Sequence, residues 1–212
     1  MKNICVEKLL VFLSPFFLMI GCSKSDTNYF ADSENDGIAI FSNTGNNLLT
    51  CFIDGKPWRT EDRIVFLISP PRARYEMYIT KQVTNSQLDT LTIQWTGYYT
   101  ADRNTPGYIS LTLPIAKNYG YKNLVALQGQ RLQIDTTNGF FSSYISGVNM
   151  PGTNISSRKG AGNIYFKAAE FDSIGPGIFS GKMSGLFDAD FISAKITKGR
   201  FDHLIEPDQV RF

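Results

Sequence analysis

The sequence predicts an all-β domain, an antiparallel β-sandwich of about nine or ten strands. First, apolar and polar residues alternate with a period of two in many short segments, which Gly, Pro, Asn and Asp separate. Second, no window of a dozen residues combines a 3.6-residue apolar period with helix caps, so the crossover helices of a parallel sheet are missing. Strands at a spacing of about 10–15 residues are typical of a sandwich or a barrel, and we expect the sandwich.

The first predicted strand covers residues 48–53 and ends at Asp54-Gly55, a dipeptide typical of two-residue hairpin turns. The return strand contains Pro57, which has no N–H to donate, so we expect an edge or an irregular stretch there. Further strands are predicted over 63–69, 75–83, 91–96 and 109–113.

The second half of the chain continues the pattern. Strands are predicted over 132–135, 140–146, 163–171, 179–187, 192–196 and 201–205. A turn at Lys198-Gly199 is expected to separate the last two. We expect Phe201 to face the core and Asp202 to face away from it, where it would tolerate Asn unless its carboxylate caps the turn. The segment 115–127 is the best helical candidate, but Gly120 and its aromatic and β-branched residues argue against a helix.

The first 22 residues are typical of an exported chain. Lys2 and Lys8 precede an apolar run over residues 9–20, which as a helix would reach roughly 18 Å, short of a ~30 Å hydrocarbon core. This run predicts a signal peptide over residues 1–21. It ends in Leu18-Met-Ile-Gly-Cys22, which resembles the lipobox of bacterial lipoproteins. The resemblance implies cleavage before Cys22 and acylation of its thiol, for example with palmitate; an ordinary secretory signal is the alternative.

Residues 22–47 are polar and predict a tether that joins the lipid anchor to a single domain over 48–212. The beginning of this segment, Ser23-Lys-Ser-Asp26, resembles in part the lysine-plus-acid signal of surface lipoproteins in Bacteroidota. We therefore expect a lipid-anchored protein of the cell outer membrane, on its outer face, with the periplasmic face as the alternative.

Composition excludes several classes of function. Removal of residues 1–21 lowers the formal net charge from +2 to +1, and no block is rich in Lys and Arg, so nucleic acid is not an expected partner. With Cys5 removed and Cys22 acylated, Cys51 is alone and cannot form an intrachain disulfide. Its apolar neighbours predict a buried, unreactive thiol.

Catalytic and metal-binding patterns are not found. His203 is the only histidine, so the sequence predicts neither a multi-histidine zinc site nor a serine triad. Asp188 and Asp190 could offer oxygens to Ca²⁺, which takes six to eight, but a solvated turn is expected. We predict no cofactor, no metal and no catalytic residue. The alternative is a carbohydrate-active enzyme that uses a carboxylate pair from separate strands. The acids available for such a pair are Glu76, Asp89, Asp102 and Glu170.

Three motifs carry a family resemblance. The segment Leu49-Thr-Cys-Phe-Ile-Asp-Gly-Lys-Pro-Trp58 is similar to the D-G-K-x-W opening of a domain of unknown function found in Bacteroidota lipoproteins. The same family closes with S-G-x-x-S-G-x-F and I-T-x-G-R-F-D strands. Ser180-Gly-Lys-Met-Ser-Gly-Leu-Phe187 and Ile196-Thr-Lys-Gly-Arg-Phe-Asp202 are similar to them. The resemblance spans about residues 48–205 and implies a β-rich fold, with no activity attached.

Aromatic residues make up 13% of the chain, which is the one compositional feature that is unusually high. Most are expected in the core and its rim, but several near strand ends could form a platform that stacks on sugar rings or on a partner protein. The candidate platform consists of Trp58, Trp95, Tyr98, Tyr99, Tyr119 and Tyr121. We therefore expect a non-enzymatic binding or envelope-interaction module whose partner is a glycan or an envelope protein.

Overall fold

The computed structural model describes residues 29–60, 75–80, 88–117, 121–145, 158–175, 178–205 and 210–211. The predicted signal peptide, Cys22 and the predicted strand at 63–69 lie outside these residues. The part of the chain that the structure describes is 69% strand and 3% helix, which confirms the all-β prediction.

The described residues form eleven strands and one short helix. In chain order they are β1 (Leu48–Ile53), β2 (Lys56–Thr60), β3 (Tyr75–Thr80), β4 (Leu88–Tyr99), β5 (Asp102–Ala116), α1 (Tyr121–Val125), β6 (Arg131–Ile134), β7 (Phe140–Ile145), β8 (Arg158–Gly175), β9 (Ile178–Phe191), β10 (Ala194–Ile205) and β11 (Val210–Arg211).

The sheet closes into an antiparallel barrel with eight strand positions. β1 pairs with β2 on one side and with β10 on the other, and the pairing of β1 with β10 closes the barrel. Strands that are neighbours in the barrel are also neighbours along the chain, as in other up-and-down barrels. The expected two-sheet sandwich is therefore not formed. Both architectures give the same period-two alternation, so the pattern alone could not separate them.

Two of the eight positions are each filled by two strands in succession. β2 pairs with residues 97–99 of β4, and β3 pairs with residues 90–95 along the same edge. In the same way, β6 pairs with residues 162–165 of β8 and β7 with residues 158–160. The short β11 adds a parallel pairing on the far edge of β3.

The expected hairpin turn at Asp54-Gly55 is confirmed, because φ is +49° at Asp54 and +74° at Gly55, as a type I′ turn requires. The expected turn at Lys198-Gly199 is wrong. β10 runs through these residues, and its register with β9 shifts between Ile196 and Gly199, which is a β-bulge. Lys198 adopts φ +53° within the bulge.

Two further expectations need correction. The helix α1 lies inside 115–127, where none was expected, and its fully buried Leu124 packs with the core. Pro57 lies in β2, which is one of the strands that close the barrel and not an edge strand, and it is paired with Phe52 of β1. The pairing of β2 with β4 begins only at Trp58, so the missing N–H interrupts no bond to β4.

Side chains fill the barrel interior, as is usual for eight strands. Phe201 is 1% exposed and lies at its centre, 5.5 Å from Trp95 and 6.0 Å from Phe166 between ring centroids. Phe187 stacks against Trp95 and against Phe141, at 5.9 Å in both cases. The prediction that Phe201 faces the core is confirmed.

The segment before β1, which we call the strap (residues 29–47), packs on the outer wall of the barrel. A bridge between Ala31 and Ala39 closes its first part into a hairpin, and Ile38 is fully buried. The expected solvated tether over 22–47 therefore does not describe residues 29–47, which belong to the folded domain. None of the helical residues in the described ranges forms a helix long and apolar enough to span a bilayer.

Candidate functional site

An open groove of about 880 Å³ lies on the outer wall of the barrel, across β6, β8, β9 and β10 and beside the strap. We call it the outer groove. Alternate residues of these strands point into the core, so the groove is formed by the outward residues between them. It is lined by side chains of mixed chemistry, which include cations, amides, one carboxylate, one tyrosine and two leucines.

The strand register arranges the groove residues in two rows. In the first row Arg131, Tyr165, Leu186 and Arg200 lie on four successive strands, each directly opposite the next. Because neighbouring strands are about 4.8 Å apart, four residues span roughly 14 Å.

The second row lies two residues further along each strand. Gln133 is opposite Asn163, and Asn163 is opposite Asp188. On β10 the bulge residue Lys198 occupies the next position. The side-chain amide of Asn163 donates to the carboxylate of Asp188 at 3.2 Å, so this row offers donors and acceptors side by side.

The groove contains one partly exposed aromatic side chain, that of Tyr165. The guanidinium carbon of Arg131 lies 4.2 Å from the centroid of its ring, a cation–π contact that orders both side chains. The guanidinium covers one face of the ring, so the pair offers N–H donors, the phenol hydroxyl and the part of the ring that stays uncovered.

Cations outnumber acids in the groove. Arg200 is neutralised by Asp32 of the strap, at 2.6 Å, and Lys198 donates to the side chain of Asn35. Among the residues that the structure describes, Arg131 and Lys167 have no carboxylate partner, so the end of the groove that they flank is positive. This end favours an anionic ligand group.

Asp32 fixes the edge of the groove that the strap forms. Its pKa is lowered from 3.8 to about 2, first by a hydrogen bond from the Asn35 amide, then by the backbone N–H of Glu34 and by Arg200. The carboxylate is therefore ionised throughout the physiological range, and its bond to Arg200 ties the strap to β10.

Asp202 holds the second half of the strap. It is 4% exposed, and its carboxylate accepts four hydrogen bonds: from the Ser42 hydroxyl at 2.5 Å and from the backbone N–H groups of Thr44, Gly45 and Asn46 at 3.1, 2.8 and 3.2 Å. Asp202 does point away from the core, as expected. The expectation that Asn would be tolerated there is not supported, because the strap surrounds the carboxylate.

The rest of the I-T-x-G-R-F-D motif is also structural. Arg200 donates to the backbone carbonyl of Ala39 at 2.7 Å in addition to its bond to Asp32. Gly199 leaves room for the Phe187 ring, since a Cβ at Gly199 would lie 2.4 Å from a ring carbon. The residues of this motif position the strap and the core, and Lys198, Gly199 and Arg200 of the motif also line the groove.

The candidate aromatic platform is not assembled. Trp58 and Trp95 are fully buried and Tyr98 is 7% exposed, so these three are core residues and cannot stack on a ligand at the surface. Tyr99 is partly buried against the core, and burial raises its pKa to about 12. Tyr121 begins α1, and Tyr119 lies outside the described residues.

The sequence did hold a signal for Tyr165. It lies between the buried residues Ile164 and Phe166, so period-two alternation alone turns its ring outward. What the sequence lacked was the register, which brings Arg131 and Leu186 beside it from strands 34 residues earlier and 21 residues later.

Neither Cys51 nor His203 lines the groove. The Cys51 thiol is fully buried, as predicted, and burial raises its pKa well above the usual range, which disfavours the thiolate. His203 is 1% exposed, in the interior, with its ring centroid 6.5 Å from that of Phe201. Within the described ranges no three His, Cys, Asp or Glu side chains are grouped as a metal site.

Two of the acids considered for a catalytic pair, Asp89 and Asp102, lie far apart. Asp89 is opposite Ile115 and Asp102 is opposite Tyr99 in the β4–β5 hairpin. Ten residues therefore separate the two acids along the strands, about 33 Å. Glu170 is ion-paired with a lysine of β9 at 3.1 Å.

Asp188 and Asp190 lie in β9 and not in the expected turn. They are two residues apart on the same face, which puts them about 7 Å apart. Only Asp188 lines the groove, and Asp190 is ion-paired with Lys195 at 3.2 Å.

Comparison with models of protein families, with curated proteins and with solved structures gave no match. What the chain does is therefore inferred from the outer groove.

Proposed function

We propose that this chain is a lipid-anchored outer-membrane protein that binds an acidic glycan in the outer groove without converting it chemically. The observation that carries the proposal is the first row of the groove, where the Arg131 guanidinium lies over the partly exposed Tyr165 ring. An aromatic ring packs against the C–H face of a sugar, and a guanidinium binds a carboxylate through two parallel hydrogen bonds.

The second row supports a glycan as the ligand. Gln133, Asn163 and Asp188 present amide donors, amide acceptors and a carboxylate within one line. Sugar hydroxyls both donate and accept hydrogen bonds, so a sugar matches this row of polar side chains better than an apolar ligand does. The length of a row, roughly 14 Å, fits a short stretch of a linear glycan.

Two observations favour binding over catalysis. Glycoside hydrolysis needs two carboxyl groups on either side of the scissile bond, one of them with a raised pKa. Asp188 and Asp190 have a suitable spacing, but both are exposed on one strand and Asp190 is held by Lys195. A single carboxylate in the groove can accept hydrogen bonds from a sugar without supplying the second catalytic group.

The membrane part of the proposal rests on the lipobox at 18–22. Two or three acyl chains on Cys22 would anchor the protein stably. Cys22→Ala should abolish palmitate incorporation and leave the protein unprocessed or soluble. Normal palmitate labelling of that variant would contradict the anchor, and an ordinary secretory signal would then replace it.

Calorimetry on the lipidated protein in detergent tests the ligand. Trimers of galacturonate, glucuronate and mannuronate would be compared with their methyl esters, which keep the sugar and remove the charge. We expect at least one acid trimer to bind, and its ester to bind about tenfold or more weakly, which corresponds to about 1.4 kcal/mol. Arg131→Gln and Tyr165→Leu should each lower the affinity at least tenfold.

Lys195→Gln is the matched control, because Lys195 is an exposed cation of β10 outside the groove. It should leave the affinity unchanged. Equal affinities for acid and ester, or equal losses in the Arg131 and Lys195 variants, would contradict the groove as the site. Release of reducing ends that Asp188→Asn abolishes would favour the hydrolase instead.

A further inference from the structure

Two large apolar side chains lie side by side on the outside of the strap. Phe30 is 57% exposed and Ile40 is 48% exposed. The backbone N–H of Ile40 donates to the carbonyl of Phe30 at 2.9 Å, next to the bridge between Ala31 and Ala39. They therefore form one apolar patch on the side wall of the barrel.

The patch is held rigidly. Asp32, two residues after Phe30, is bound to Arg200 of β10 at 2.6 Å. The backbone N–H of Ala39, next to Ile40, donates to the hydroxyl of Thr50 in β1 at 3.2 Å. Phe30 and Ile40 thus keep a fixed direction relative to the barrel.

The patch is also close to the proposed anchor. Tyr29 lies at the barrel wall, with the guanidinium carbon of Arg59 5.2 Å from its ring centroid. Six residues, 23–28, separate Tyr29 from Cys22, so the two are seven residue steps apart and can be no more than about 23–25 Å from each other. The bilayer must therefore lie within this distance of the strap if Cys22 is acylated.

We propose that the barrel lies with the strap side against the bilayer, and that Phe30 and Ile40 enter the interfacial region of the leaflet that holds the anchor. This inference rests on the proposed lipid anchor. The exposed charges near the patch are of both signs, Glu34 and Asp36 of the strap and Lys198 of β10, so the contact is apolar rather than electrostatic.

Site-specific lipid quenching tests the orientation. Phe30→Cys, Ile174→Cys and Ile192→Cys would each be labelled with a polarity-sensitive nitrobenzoxadiazole probe, in the lipidated protein bound to phosphatidylcholine vesicles that contain spin-labelled lipid. Ile174 and Ile192 are 60% and 88% exposed and lie near opposite ends of β9, so they report on the two ends of the barrel. The remaining thiol, Cys51, is fully buried and will not be labelled.

We expect the probe at residue 30 to be quenched at least threefold more than the probes at 174 and 192, equally at low and high salt. Ile40→Cys, which keeps Phe30 in place, should behave like Phe30→Cys. Stronger quenching at either end, weak quenching at all positions, or loss of quenching at high salt would overturn the proposal. Protein that carries no acyl chain and does not bind the vesicles would instead refute the anchor, whereas anchored protein with an unquenched residue 30 refutes only the orientation.

Discussion

Replacement of Asp202 by Asn tests whether the strap is part of the folded domain. One carboxylate oxygen accepts from Ser42, Thr44 and Asn46, and the other accepts from Gly45. In the best orientation of the amide, its oxygen keeps the first three bonds and its NH₂ group faces the N–H of Gly45. One charge-assisted bond is lost, the others are weakened, and two donors oppose each other at a site that is 4% exposed. A hydrogen bond to a charged group contributes about 1.5–3 kcal/mol, so we expect Asp202→Asn to lower the free energy of unfolding by about 2–4 kcal/mol.

Urea melts followed by tryptophan fluorescence would measure this loss, and amide hydrogen exchange would show where it arises. Asp190→Asn is the matched control, because Asp190 and its partner Lys195 are both 62% exposed. An ion pair of this kind contributes about 0–1 kcal/mol, so we expect little change. If Asp202→Asn is as harmless as the control, with Gly45 and Asn46 still protected from exchange, the assigned role of the carboxylate is wrong.

Three further predictions concern β10 and the strap. Phe201→Ala should lower the free energy of unfolding by about 3–5 kcal/mol in urea melts, because it leaves a cavity at the centre of the core. Gly199→Ala should lower the free energy of unfolding by about 1–3 kcal/mol, since the added Cβ would overlap the Phe187 ring. Lys198→Gly should leave the free energy of unfolding within about 1 kcal/mol of the parent value, because glycine relieves the strain of the positive φ. Asp32 has a folded pKa of about 2, below its usual 3.8, so its stabilising effect is complete above pH 4 and is lost as the pH falls toward 2. Amide exchange protection of the strap should therefore decrease in this pH window. The Asp32→Asn variant should not show this pH-dependent decrease.

Each of these predictions has a distinct contrary result. A loss under 1 kcal/mol for Phe201→Ala would place the ring outside the core. Greater damage from Lys198→Gly than from Gly199→Ala would mean that Lys198 is not strained and that a Cβ at Gly199 fits beside the Phe187 ring. If exchange protection of the strap falls at the same pH in the parent and in Asp32→Asn, the loss at low pH comes from other carboxylates.

Local features of the fold were well predicted from the sequence because they depend on neighbouring residues. The Asp54-Gly55 turn follows from the backbone freedom that a type I′ turn demands. The inward direction of Phe201 follows from alternation within one strand. At Lys198-Gly199 the same reasoning failed, because a turn and a bulge can both contain a glycine, and only the pairing with β9 distinguishes them.

Closure of the barrel and assembly of the groove could not be predicted in this way. Closure depends on the pairing of β1 with β10, whose residues Leu48 and Asp202 are 154 positions apart. The polar composition of the strap hid its burial, because Ile38 is the one fully buried residue in a segment that is otherwise rich in Asn, Asp and Gly. The groove needs the register of four strands at once, and alternation gives the face of each strand but not its register.

The central claim is that the outer groove is the ligand site, and a nuclear magnetic resonance titration of the isotope-labelled protein with the tightest-binding uronate trimer tests it most directly. We expect the largest amide shifts at Arg131, Gln133, Asn163, Tyr165 and Asp188, which form the two rows. The interior indole signals of Trp58 and Trp95 should not move. Shifts that cluster on β2–β4 or on those indoles, with the groove residues unchanged, would contradict the claim.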